Sequence, residues 1–203
     1  EVSSVYCNHD YEPYALSRDQ SIADLLKAKS IPFKSYKDQV IFERNQITKD
    51  DGLPYKVYTP YSKKWLTAFD ANQCESYKSE DLLENSYQST NQNWVELKDM
   101  GFEPSPVKVA PFDIDDGIIE NYEATRNFPA INGTSKLGPH LRFGSVSVRQ
   151  IVSKAIQFET TVFLKELIWR EFFMQILWHF PHTVTQSFKP QYEAIKWRNN
   201  TSE

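Results

Sequence analysis

One stretch constrains this chain more than any other. Val162 to Phe180 is apolar at most positions and is interrupted by the charged residues Lys165, Glu166, Arg170 and Glu171. Charges so placed exclude a membrane helix, which needs a run of ~18 or more apolar residues. A helix with apolar side chains nearly all round must instead be buried by other elements. Thr160 or Thr161 is placed to cap it, it should reach His179, and Pro181 stops it. Glu166, Trp169, Arg170 and Phe173 fall at i, i+3, i+4 and i+7, so they share a face. Their plain reading is a Glu–Arg pair worth about 0.3 kcal/mol beside core aromatics. The sharper reading is a site for a planar polar ligand. The Arg supplies fixed donors, the Trp a stacking surface and the Glu an acceptor.

The rest of the chain divides by texture. Val2 to Cys7 alternates apolar and polar residues, a strand pattern. Ser17-Arg-Asp-Gln20 has capping-box form and predicts a helix with Ile22, Leu25 and Leu26 on one face, ended by Ile31-Pro32. Val40-Ile-Phe42 predicts a short buried strand, Asp50-Asp-Gly52 a turn, and Tyr55 to Thr59 a short extended piece. Strand, helix and strand at this spacing make an α/β unit with a parallel sheet. Residues 66–112 turn polar, with a predicted helix near Ser79 to Tyr87 and then Pro104, Pro106 and Pro111, which reads as an interdomain connection. From Ile114 onward the pattern is helical, and Ser147-Val-Arg-Gln150 predicts a helix running through about Phe158.

Composition narrows the function. With 23 Lys+Arg against 27 Asp+Glu the 203 residues carry a formal charge of −4, so the chain is no general coat for nucleic acid. Any such contact must be local, and Arg126, Arg142, Lys154 and Lys196 are the candidates for a phosphate-facing patch. Cys7 and Cys74 build neither a disulfide framework nor a zinc site, and reduced thiols in a cytoplasmic protein are the simplest reading. His140, His179 and His182 have no metal-ligand spacing, and Asp113, Asp115 and Asp116 read as a solvated helix start. The chain opens without Met in what reads as a strand already under way and stops abruptly at Glu203, the marks of an excerpt. Gly133-Thr-Ser-Lys-Leu-Gly138, with Pro139 to Gly144 after it, offers hydroxyls and backbone N–H groups that suit a phosphate, although it matches neither the Walker loop nor the dinucleotide fingerprint.

Six blocks in order resemble the DNA photolyase/cryptochrome family, in particular its class I cyclobutane pyrimidine dimer photolyases. They are Asn8-His-Asp-Tyr-Glu-Pro-Tyr14, Tyr58-Thr-Pro-Tyr-Ser-Lys-Lys-Trp65, Arg126-Asn-Phe-Pro-Ala130, Thr134 to Gly144, Phe163-Leu-Lys-Glu-Leu-Ile-Trp-Arg-Glu-Phe172 and Lys196-Trp-Arg-Asn199. The resemblance implies a fold that is α/β followed by all-α. Residues 1–66 would be the C-terminal part of a Rossmann-like antenna domain, 67–112 a long linker, and 113–203 the N-terminal part of a helical FAD-binding domain. It also assigns roles. Tyr122, Thr134, Ser135, Lys136, Leu137, Gly138, Phe163 and Arg170 match FAD-contact positions. Lys136 and Gly138 stand where members often have Arg and Ser, and Phe163 where they often have Trp. Glu166 matches the Glu that hydrogen-bonds a flipped pyrimidine dimer, Trp169 the Trp that stacks on it, and Arg126 a residue near the lesion's backbone. Trp197 resembles the outermost member of the tryptophan chain that photoreduces the flavin.

What the resemblance implies for function is a deoxyribodipyrimidine photolyase, a carbon–carbon lyase that uses FAD and blue light to repair cyclobutane dimers in damaged DNA. The full-length protein is expected to be a monomer. The excerpt by itself is expected to be inactive. The alternatives are a cryptochrome-type photoreceptor without repair, against which Glu166 and Trp169 weigh, and a scaffold that binds nothing. Folate-using members carry Asn-Glu after the Tyr-Glu pair. Tyr14-Ala15 stand there in this chain, which speaks against folate and leaves a deazaflavin, another chromophore or none.

Overall fold

The computed structural model describes residues 2–87 and 95–198. Strand β1 (Val5–Asn8) pairs in parallel with β2 (Phe33–Tyr36), Val5 opposite Phe33 and Asn8 opposite Tyr36. Helix α1 (Pro13–Lys27) connects them, as a parallel pair requires. The helix begins earlier than its capping pattern predicts. Pro13 sits at the first helical position, where its fixed φ is pre-organised and its missing N–H costs nothing. Ser17 therefore lies inside the helix, and its carbonyl accepts from the Ser21 hydroxyl.

Two other expectations fail nearby. Helix α2 (Tyr58–Ala68) replaces the extended piece predicted from Tyr55 to Thr59. Pro60 falls in its first turn, where proline is tolerated. Tyr58, Tyr61 and Trp65 stand at i, i+3 and i+7, and Tyr61 and Trp65 are fully buried, so an aromatic stripe on one helix face decides the matter. Val40, Ile41 and Phe42 are buried, but they form no strand. Side chains rather than a neighbouring strand satisfy much of their backbone.

The 67–112 stretch contains short 3-10 turns at Ala71–Cys74, Ser79–Asn85 and Leu97–Met100, the second standing where an α-helix was predicted. Beyond it come α3 (Asp116–Glu120), α4 (Tyr122–Thr125), α5 (Gly138–Arg142), α6 (Val148–Ala155) and α7 (Val162–His179). The bounds of α7 match the prediction, although neither Thr161 nor, in α6, Ser147 caps with its side chain.

Helix α7 organises the molecule. Its buried side is Phe163, Leu164, Leu167, Ile168, Glu171, Phe172 and Gln175. One continuous core joins Ile41, Phe42 and Trp65 from the first part of the chain to Ile119, Ile151 and Ile168 from the helical part. Helices α2, α4 and α6 all pack against α7. Its burial is not all round, however. Glu166, Trp169 and Arg170 are half-buried and Phe173 is exposed, so the face singled out in the sequence is the open one. Among the described residues no helix is long and apolar enough to cross a membrane.

Candidate functional site

Five of the sequence-predicted residues gather on and beside α7: Glu166, Trp169, Arg126 and Tyr122 half-buried, and Phe163 buried. Glu166 does not pair with Arg170 one turn along; its carboxylate accepts from the Arg126 guanidinium, brought over by the end of α4. Arg126 in turn lies over the Tyr122 ring, 5.6 Å from its centroid. Tyr122 meets Phe163 edge-on, at 5.2 Å and 87°. One turn beyond Glu166, the Trp169 indole lies flat on Tyr58, with centroids 3.6 Å apart and planes 7° apart. The Tyr58 hydroxyl donates to the Lys165 carbonyl at 2.8 Å. Burial pushes the Tyr58 phenol up to about 12, so it stays a donor at neutral pH.

Arg170 has a different task from the predicted pair. Its Nη1 donates to the Gln39 carbonyl at 2.7 Å and its Nη2 approaches the Leu141 carbonyl at 3.4 Å. Burial pulls its pKa down, and the neighbouring carboxylates Glu171 and Asp38 oppose that. Arg170 lines a cleft of about 420 Å³ together with Gly138, Leu141, Phe173, Glu12 and Arg142. The cleft lies between the first part of the chain and the helical part.

The 133–138 segment alternates strictly. Gly133, Ser135 and Leu137 are buried while Thr134, Lys136 and Gly138 are exposed. Gly133 is required for close approach, since a Cβ there would meet Thr125 Cβ at 2.5 Å. The Ser135 carbonyl accepts from Asp113 N–H at 2.9 Å, which fixes the segment from below. Lys136 has φ +54° and Leu137 is right-handed at φ −68°, ψ −16°. A left-handed residue followed by a right-handed one is the kind of alternation in which backbone anion sites are built. A lysine held in left-handed backbone is unusual outside functional or tightly constrained sites.

The feature missed in the sequence is the buried carboxylate of Glu171. Its Oε2 accepts from Ile41 N–H at 2.6 Å, and its Oε1 from Phe42 N–H at 3.1 Å, Trp65 Nε1 at 2.7 Å and the Tyr61 hydroxyl at 3.2 Å. Burial raises its pKa to about 7, and the four donors oppose the rise. Gln175 donates to the Phe42 carbonyl, His179 meets the Arg44 carbonyl, and Arg149 of α6 donates to the Asp38 carbonyl. A non-strand segment is thereby hydrogen-bonded by side chains. The only signal in the sequence was a charge at 171, off the face shared by Glu166 and Arg170.

Other predicted features resolve simply. Three members of the proposed phosphate-facing patch are committed to carboxylates: Arg126 to Glu166, Arg142 to Glu12 and Lys154 to Asp116. Trp197 is 75% exposed. His9 bridges Glu43 and Ser35, and His140 bonds Ser145 and the Ala110 carbonyl. Cys7 and Cys74 are half-buried free thiols whose pKa burial raises.

The chain thus combines an α/β unit with a helical part that carries an aromatic–carboxylate face and the 133–138 loop. A family model for DNA photolyase matches residues 1–79, and one for the FAD binding domain of DNA photolyase matches residues 163–203. Curated relatives of the chain carry the name deoxyribodipyrimidine photo-lyase. That of Alkalihalophilus pseudofirmus is 28% identical over 100% of this chain and 46% of the relative. That of Synechococcus sp. is 29% identical over 98% of this chain and 46% of the relative. Among solved structures, a bacterial class III photolyase from Agrobacterium tumefaciens superposes with a TM-score of 0.73 at 23% identity, covering 97% of this chain and 45% of that one. An archaeal photolyase from Sulfolobus tokodaii, solved with two FAD molecules, gives 0.58 at 22%, covering 96% and 43%. The chain is thus similar to DNA photolyases, through family models over residues 1–79 and 163–203 and through relatives matched along nearly its whole length. It spans about 46% of the length of the curated relatives it matches.

Proposed function

We propose that this chain is part of a deoxyribodipyrimidine photolyase that repairs pyrimidine dimers in DNA by a light-driven, FAD-dependent reaction. The observation that carries the reading is the open face of α7. Glu166, Trp169 and Arg126 stand together there, half-buried, while the opposite side of the same helix forms the core. An indole beside a carboxylate suits a flipped base, which is read by stacking and by hydrogen bonds to its polar edge. The partner is then damaged DNA, bound as a flipped dimer by a monomeric protein in the cytoplasm. Residues 1–66 belong to the antenna domain, 67–112 to the linker and 113–203 to the FAD-binding domain.

The residues present fit a flavin dinucleotide. Thr134, Lys136 and Gly138 are the exposed residues of this loop, and Lys136 stands in left-handed backbone and adds a positive charge, so this segment would hold the phosphates. Ser135 and Leu137 shape the loop from its buried side. Tyr122, Phe163 and Arg170 would line the rest. When bound, FAD supplies the excited electron donor. The chain's own residues position the lesion: Trp169 gives it a plane, Glu166 accepts from its polar edge, and Arg126 holds the Glu166 carboxylate and the neighbouring DNA backbone. Trp197, being exposed, is suited to pass electrons from outside toward the flavin.

The test uses the protein as expressed from its complete coding sequence, with a duplex containing one cis–syn thymine dimer. Blue light is expected to convert the dimer to two thymines, with flavin absorbance in the purified protein. Bound flavin without dimer cleavage under illumination would overturn the reading.

A further inference from the structure

The Tyr58–Trp169 stack is not a geometry that two aromatic rings choose unaided. With centroids 3.6 Å apart and planes 7° apart the rings lie almost directly over one another. Ring quadrupoles favour offset or edge-on pairs over such a sandwich. Something else therefore holds it, and both ends of α2 show what. At the N-terminal end the Tyr58 hydroxyl donates to the Lys165 carbonyl of α7. One and two turns later Tyr61 and Trp65 donate to the Glu171 carboxylate. The same helix face that carries Tyr58 is thus fastened to α7 at two levels. The Phe172 ring, edge-on to both Tyr58 and Trp169 at 5.9 and 5.7 Å, closes the side.

We infer that Tyr58 is a positioning residue for the base-stacking indole: α2 backs Trp169, and the Glu171 anchor fixes α2 so that the indole plane is set before a ligand arrives. The inference rests on the reading of Trp169 as the residue that stacks on a flipped base. A side chain with two aromatic neighbours on its own helix and one across from it has few planes open to it. Pre-setting a stacking surface removes an ordering cost from binding. The expected consequence is selective, because undamaged DNA places no base on Trp169.

The experiment measures dark affinity for a dimer-containing duplex and for the matched undamaged duplex, using the protein as expressed from its complete coding sequence. The variants are Tyr58→Leu, Tyr58→Phe, Trp169→Ala and the double variant Tyr58→Leu/Trp169→Ala. Tyr58→Leu is expected to weaken the dimer duplex about tenfold, a loss within the range of one base–aromatic stack, and the undamaged duplex less than about twofold. Tyr58→Phe, which keeps the ring, should stay within about threefold of wild type. In the Trp169→Ala background Tyr58→Leu should cost less than about twofold more, because its effect runs through the indole. Should Tyr58→Leu not fold, Tyr58→Met, which fills the volume without a flat face, gives the same comparison. Unchanged dimer affinity, equal losses on both duplexes, or additivity in the double variant would each overturn the inference. If Trp169→Ala itself shows no selective loss, the stacking role fails first, and Tyr58 then has nothing to position.

Discussion

Glu171→Gln should change how stability depends on pH. The wild-type carboxyl is buried with a pKa of about 7 against an ordinary 4.5. A raised folded pKa means that the folded state binds the proton more tightly than the unfolded chain. The group therefore favours folding fully below pH 4.5, and that contribution is lost as pH rises to 7 and above. The gap of 2.5 between the two values corresponds to about 3 kcal/mol, at 1.36 kcal/mol per unit. Glutamine does not titrate, so it removes this slope. It also turns an amide N–H toward Ile41 N–H, leaving a donor without its acceptor at a cost of about 1–3 kcal/mol. Urea unfolding of both proteins at pH 5 and pH 8 separates the two effects, because every other titrating group is common to both. The difference between wild type and variant should shrink by about 2–3 kcal/mol from pH 5 to pH 8. A difference constant to within about 1 kcal/mol would refute the claim that Glu171 titrates in this range.

Three further outcomes follow from the geometry. Gly133→Ala should destabilise the chain by about 1–3 kcal/mol through the clash with Thr125, and Thr125→Ala in the same chain should restore part of it; the measurement is the urea midpoint. Arg126→Ala removes an ion pair whose side chains are 34% and 40% exposed, so the melting temperature should hardly move while affinity for dimer-containing DNA falls. Glu166→Gln should leave flavin content and melting temperature intact and lower repair per absorbed photon, because the carboxylate's partner is Arg126 and not the cleft-lining Arg170; unchanged repair yield would remove Glu166 from the lesion site.

The two hydrogen-bond clusters on α7 have different physical characters. Arg126–Glu166 is wet and replaceable, an arrangement that lets a ligand compete for the carboxylate. Glu171 is dry and fully engaged, and a buried carboxylate stripped of its partners is strongly destabilising. The helix thus presents an exchangeable charge on its open face and a fixed one on its closed face, separated by little more than one turn.

By itself the sequence determined the long helix and its bounds, because apolar density, a following proline and helical spacing are local properties. It determined the first strand and a helix after it for the same reason, but not their partner: β2 (Phe33–Tyr36) carries no strand pattern that stands out, and Val40–Phe42 reads as the strand instead. It also placed Glu166, Trp169 and Arg170 on one face. The family blocks carried the assignment of class. What it left to the tertiary structure were choices made by partners far away in the chain. The segment Val40–Phe42 reads as a strand, yet it lies where Glu171 and Gln175, about 130 residues on, meet its backbone groups. The region around Tyr58 reads as extended, yet α7 offers a groove for an aromatic stripe, and burying Tyr61 and Trp65 outweighs weak local preference. Arg170 and Glu166 stand at pairing distance in the sequence, yet each has a better partner across the fold, a carbonyl for one and Arg126 for the other. Periodicity reports which residues of one element share a face; which side chain satisfies which buried polar group is fixed only when the elements pack.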